Sequence, residues 1–189
     1  MKNICVFCGS NPGKNPLYQE QAIRLGEALA QRQINLIYGA SDLGLMGQVA
    51  AAVLAGGGTA IGIMPEIFRT RVQHPQLSEL IITADMSERK ALMLQKAEGF
   101  ISLPGGVGTL EELFEMITLG QIGYHQKPSA ILNVAGFYDP LIKFLDQMTA
   151  QKFMRPEFRQ AIIISSEIEE ILDKMQNFQP PQLDKWLDR

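Results

Sequence analysis

Short apolar runs that end in a turn and open into an amphipathic stretch recur along this chain. That alternation limits its fold more than any other feature. Ile4–Cys8 is followed by Gly9-Ser10-Asn11-Pro12-Gly13, Ile34–Tyr38 by Gly39-Ala40-Ser41, and Gly99–Leu103 by Pro104-Gly105-Gly106. Thr59–Met64, Leu80–Thr83, Ser129–Asn133 and Ala161–Ser165 read as further strands. Between them, apolar residues at helical spacing predict helices from Pro16, up to Gly56-Gly57-Gly58, after Asp85, over Leu110–Gln121, over Phe137–Gln151 and over Ser166–Met175. Strands alternating with helices predict an α/β fold, a parallel sheet covered by helices on both faces. We expect one domain over residues 1–176 and a loosely ordered tail over 177–189, which carries Pro180-Pro181 and little periodicity.

The stretch from Leu103 to Glu112 carries the strongest chemical signal. A buried strand, a turn with glycines at 105, 106 and 108, and a helix follow one another directly. Glycine leaves no side chain between the backbone and a ligand. The first N–H groups of the helix then face the turn, where the dipole favours an anion. The stretch therefore reads as a phosphate cradle built from Gly105, Gly106, Val107, Gly108 and Thr109. It is not a P-loop, because no Lys-Ser/Thr follows the last glycine, and Glu111 stands where a dinucleotide fingerprint needs its third glycine. Thr109 and Glu112 have the spacing of a capping box, with Thr109 as N-cap and Glu112 at N3. That accounts for Glu112, which is kept among the substrate-binding candidates. Glu111 is left without a capping role and reads as the functional carboxylate.

Two other stretches join it. In open α/β sheets ligands bind beyond the carboxyl ends of strands, which places Ser10 within reach of one. After Asp85, Met86, Arg89, Lys90 and Met93 recur at i, i+3, i+4 and i+7 and share a helix face. Such a face can hold an anion on its cations and a flat base against its thioethers. The polar segment from Glu66 to Pro75, with Arg69, Arg71 and His74, reads as a solvated loop or a flap.

Other classes are excluded or weakened. A net charge of −3 argues against a general nucleic-acid binder. No apolar run reaches the ~20 residues of a membrane span. The first residues lack signal-peptide architecture, so a cytoplasmic location is expected. Cys5 and Cys8 lie within a strand and face opposite sides, so packing explains them better than redox chemistry. His74 and His125 are isolated, and no cluster has metal-ligand spacing.

Pro104-Gly105-Gly106-Val107-Gly108-Thr109 with Glu111-Glu112, Met86 with Arg89-Lys90 and Met93, and Gly44-Leu45-Met46-Gly47 together resemble the LOG family. These are the cytokinin riboside 5′-monophosphate phosphoribohydrolases, many of them once labelled possible lysine decarboxylases. The resemblance runs from about Ile4 to Met175. It implies a Rossmann-like sheet in a homodimer, and hydrolysis of a nucleoside 5′-monophosphate to free base and ribose 5-phosphate without metal or organic cofactor. It further implies that Arg89 and Glu111 are catalytic and that Lys90 and the backbone from Gly105 to Thr109 contact substrate. Departures from the family pattern occur at Ala40, Ser41, Arg71 and Leu119-Gly120. The alternatives are a general AMP nucleosidase and a non-catalytic nucleotide sensor. Lysine decarboxylation would instead need a cofactor such as pyridoxal phosphate on a Schiff-base lysine.

Overall fold

The computed structural model describes residues 1–69 and 77–182. Seven parallel strands form one sheet: β1 Asn3–Phe7, β2 Asn35–Tyr38, β3 Ala60–Pro65, β4 Glu79–Thr83, β5 Gly99–Ser102, β6 Ser129–Leu132 and β7 Ile162–Ser165. Their spatial order is β4-β3-β2-β1-β5-β6-β7. Seven helices connect them: α1 Pro16–Gln31, α2 Gly44–Ala55, α3 Met86–Lys96, α4 Val107–Gln121, α5 Asp139–Ala150, α6 Pro156–Gln160 and α7 Ile168–Gln176. The α/β expectation holds, with helices on both faces. The short α6 was not foreseen, and α5 and α7 begin two residues later than expected.

The sheet reads as near-continuous apolar runs because both of its faces are buried. Ile4, Val6 and Cys8 point to the face covered by α1, α2 and α7. Cys5 and Phe7 point to the other, with Met93 and Leu94 of α3 and Met116 of α4. The two thiols are thus buried, unpaired and on opposite sides, as the strand period requires. α1 starts where Asn15 and Pro16 place it: the Asn15 side chain accepts from Leu17 N at 3.1 Å, and Pro16 fills the first turn. Beyond α7, Phe178 packs against the core, and residues 183–189 of the expected tail lie outside the described residues. Arg71 and His74 lie outside the described residues.

The strand order fixes where a ligand fits. From β1 the chain steps outward through β2, β3 and β4, then returns to the other side of β1 as β5. The loops after β1 and β5 therefore part in opposite directions and leave a crevice between them.

Candidate functional site

Two loops far apart in sequence are tied together at this crevice. Gly9 N donates to Pro104 O at 3.0 Å, and Leu45 N donates to Gly9 O at 3.0 Å. The loop after β1 is thus clamped between the turn after β5 and the start of α2. Gly44 permits the second contact: its φ is +57°, and a Cβ there would stand 2.5 Å from Asn11 N. Ser10 lies exposed on this rim. Tyr138, buried behind the turn, donates its hydroxyl to Leu103 O at 2.6 Å and holds the residue that precedes Pro104.

The turn opens directly onto α4. Gly106 is the N-cap and offers no side chain to the first-turn amides. The N–H groups of Val107, Gly108 and Thr109 therefore lack intrahelical acceptors and carry the positive end of the helix dipole. A Cβ at Gly106 or Gly108 would meet nothing within 4 Å, so both face open space. Gly105 is different: a Cβ there would collide with the Thr109 side chain and stand 2.9 Å from Gly9 N. Thr109 itself is buried, whereas Val107 is exposed.

This corrects the capping assignment. α4 begins one turn earlier than Thr109 would set it, so Thr109 lies inside the helix and Glu112 is not at N3. Freed from capping, the Glu112 side chain accepts from Arg89 Nη1 at 2.7 Å. Both partners are about nine-tenths buried, at 9% and 12% side-chain exposure, so each charge depends on the other. Arg89 Nε donates to Ile63 O at 3.0 Å, which pins the guanidinium over β3. Its Nη2 lies over Gly39, where any Cβ would collide with it, and Met46 Sδ would be 3.1 Å from that Cβ. Burial raises the Glu112 carboxyl above its ordinary 4.5, and Arg89 opposes that rise.

Glu111 points elsewhere. It is half-exposed and pairs with Lys90, whose ammonium also stands 2.8 Å from Glu115. Arg89 and Lys90 thus part company: one turns inward to the strand ends, the other outward to the flank of α4. Burial works against the Lys90 charge, but the two carboxylates outweigh it and raise its pKa. α3 itself starts as its sequence requires, with Glu88 N donating to Asp85 at 2.8 Å and Ala84 N to Glu88 at 2.6 Å. Met86 is exposed near the strand ends, but Met93 is fully buried in the core and cannot touch a ligand. Gly47 lies against the Asp42 backbone, so it serves the loop before α2 rather than packing on the sheet.

Gly39, Met46, Ile63 O and Tyr138 were not identified from sequence as site residues. Two of them left a signal: Gly39 as a glycine directly after a strand, and Met46 within the Gly44-Leu45-Met46-Gly47 motif. Among the described residues no group of three or more His, Cys, Asp or Glu could hold a metal ion, and no helix is long and apolar enough to cross a membrane.

The profile of the family described as "Possible lysine decarboxylase" matches residues 46–175. The chain is 44% identical over 180 residues to cytokinin riboside 5′-monophosphate phosphoribohydrolase LOG7 of Arabidopsis thaliana, covering 95% of this chain and 83% of that protein. It is 42% identical over 180 residues to the probable cytokinin riboside 5′-monophosphate phosphoribohydrolase LOGL2 of Oryza sativa subsp. japonica, covering 95% and 74%. Among solved structures, the fold is similar to the molybdenum cofactor binding protein of Rippkaea orientalis, with a TM-score of 0.70, 21% identity, and 93% and 96% of the two chains covered. The Moco carrier protein of Chlamydomonas reinhardtii gives 0.71 at 18% identity, covering 94% and 96%. These two likenesses concern the fold.

Proposed function

We propose that this chain, which belongs to the possible lysine decarboxylase family, is a phosphoribohydrolase. It hydrolyses the N-glycosidic bond of N6-prenylated adenosine 5′-monophosphate to the free base and ribose 5-phosphate. The observation that carries the reading is the buried Arg89–Glu112 pair beside an uncapped helix N-terminus at the sheet's switch point.

The 5′-phosphate binds the N–H groups of Val107, Gly108 and Thr109. The sugar then lies near Glu112, one helical turn along α4. Cleavage passes through an oxocarbenium-like sugar, as in glycoside hydrolysis. Water supplies its oxygen to C1′, the electron pair of the C1′–N bond leaves with the base, and the base takes up a proton. A carboxylate at this point stabilises the cationic sugar and orients the water. We assign that role to Glu112, whose buried pairing with Arg89 supports it, rather than to Glu111, the residue that the family resemblance implies. Arg89 holds Glu112 in position and presents its second amino group toward the base. It remains protonated and so donates no proton in the cycle.

Lys90 does not suit decarboxylation. A Schiff-base lysine needs a lowered pKa, and Glu111 and Glu115 raise this one. Two reduced thiols suit the cytoplasm, and the family resemblance supports a homodimer. The test is incubation with AMP and with isopentenyladenosine 5′-monophosphate, followed by chromatography for free base. Base released by the wild type and lost in Glu112→Gln is the expected result. Tight nucleotide binding without release would identify a sensor instead.

A further inference from the structure

We infer a second ligand site at the opposite end of the sheet, for an uncharged, planar, one-ring carboxamide or lactam. The site is independent of the reaction proposed above.

The crevice lies beyond the carboxyl ends of the strands. Toward their amino ends, a pocket of about 110 Å³ opens between the last turns of α4, the first residues of β6 and β7, and the chain beyond α7. α4 has 15 residues and separates this pocket from the glycine turn by about 22 Å. Met116, Ile117, Phe158 and Ile162 form buried apolar walls, and Phe178 and Pro181 close the side formed by the chain beyond α7. Gly123 and Gln126 are exposed and leave an entrance. Small-molecule sites are built in this way, as mostly apolar concavities with a few polar groups that fix orientation.

Gln121 supplies a polar group of that kind. Its Nε2 is buried, and among the described residues no hydrogen-bond partner reaches it. A buried amide donor is costly to leave unpaired, and the great majority are paired. The two titratable side chains of the pocket are already engaged. His125 bonds Met116 O through Nε2 and accepts from Lys127 N at Nδ1, while Lys127 Nζ donates to Leu94 O.

These surroundings select the ligand. Among the described residues no carboxylate lines the pocket to pair with a cation. The C-terminal end of the α4 dipole disfavours an anion. An uncharged molecule therefore fits best. An apolar cavity of about 150 Å³ holds benzene, so a pocket of this size with an entrance takes one ring and a small substituent. A carboxamide or lactam offers both an acceptor for the Gln121 N–H and a donor for its carbonyl oxygen, so it meets either edge of that amide. Such a ligand touches Met116, Ile117 and Gln121 of the helix whose first turn carries the proposed phosphate amides.

The experiment titrates benzamide, and benzoate as its charged counterpart, by ligand-observed NMR against the wild type, Gln121→Leu and Ala161→Met. Ala161 lines the pocket, so the longer methionine fills it. The Tm of each variant is measured alongside. The wild type is expected to bind benzamide with a Kd of about 1 mM or tighter, ordinary for a ligand of this size, and benzoate at least about 10-fold more weakly. Gln121→Leu and Ala161→Met should each weaken benzamide at least about 10-fold with little change in Tm. If Ala161→Met fails to fold, Gln121→Leu decides alone. No binding of benzamide to the wild type would leave the amide to water and overturns the inference. So does undiminished affinity in Gln121→Leu, which would place benzamide elsewhere, or benzoate binding as tightly as benzamide.

Discussion

Gly39 and Arg89 share one space. The guanidinium lies where any side chain at residue 39 would begin, and its bonds to Ile63 O and Glu112 leave it little room to withdraw. Gly39→Ala is therefore expected to displace the arginine rather than be absorbed by it. Overpacking of this kind costs about 1–3 kcal/mol of stability, and on the proposed mechanism displacement of the Arg89–Glu112 pair costs about 10²-fold in kcat/KM. Urea unfolding and steady-state turnover read the two effects separately. Near-normal turnover would show that Arg89 does not need this position.

The two neighbouring glutamates should behave differently. Glu112→Gln is expected to lower kcat by about 10²–10⁴-fold. Glu111→Gln releases one of two carboxylates from Lys90 on the flank of α4 and should cost less than about 10-fold. The reverse order of effects would restore Glu111 as the catalytic carboxylate.

Glu112 also predicts a pH signature. Its folded-state pKa lies above the ordinary 4.5 because burial outweighs Arg89. The folded protein thus holds this proton over a range in which the unfolded chain has released it. Stability from this group is full below the unfolded value and is lost as pH rises through the folded value. The difference in unfolding free energy between wild type and Glu112→Gln should decline as pH rises across that window. If the ionised form is the reactive one, kcat/KM rises over the same limb. A flat difference would remove the titration from this site.

The cradle glycines separate binding from folding. Gly106→Ala and Gly108→Ala place a methyl in open space, so stability should stay within about 1 kcal/mol, and Gly108→Ala should gain slightly as a better helix former. The same methyls stand where the phosphate would approach, so KM for the nucleotide should rise at least about 10-fold. Gly105→Ala meets Thr109 and Gly9 and should unfold more readily. Unchanged KM in both open-space variants would move the phosphate elsewhere.

His125 offers a prediction away from the site. Lys127 N donates to its Nδ1 at 3.1 Å, so Nε2 carries the proton donated to Met116 O at 2.9 Å. Burial lowers the imidazole pKa below its ordinary 6.5, and the Lys127 charge adds to this. A depressed pKa contributes stability that is present above the unfolded value and lost as pH falls through the folded one. The stability advantage of wild type over His125→Asn should therefore shrink on acidification from neutral pH. An advantage that grows instead would mean that the fold raises the imidazole pKa rather than lowering it.

Local patterns made most of the scaffold legible. Asn15-Pro16 and Asp85 with Glu88 located two helix starts because a cap bonds groups a few residues away. The apolar strands showed themselves because burial on both faces removes polar residues from them. Glu112 was misread for the converse reason. Thr-x-x-Glu spacing is the same whether the threonine caps a helix or sits inside it, and the true cap, Gly106, has no side chain to advertise it. The partner that decides the matter, Arg89, lies on another helix, beyond the reach of any local pattern. Met93 followed the same course: its helical position was right, but only the packed sheet shows that this position faces the core.

The hydrogen bond from Gly9 to Pro104 has a consequence for the order of assembly. During synthesis, β1 emerges early, yet its crevice wall stays unfinished until β5 and the start of α4 have followed and paired beside it. Throughout that interval the nascent chain can build β1 to β4 and still lack the second wall of the crevice. That wall arrives only with β5 and the start of α4, so the site proposed here is among the later features of the molecule to take shape.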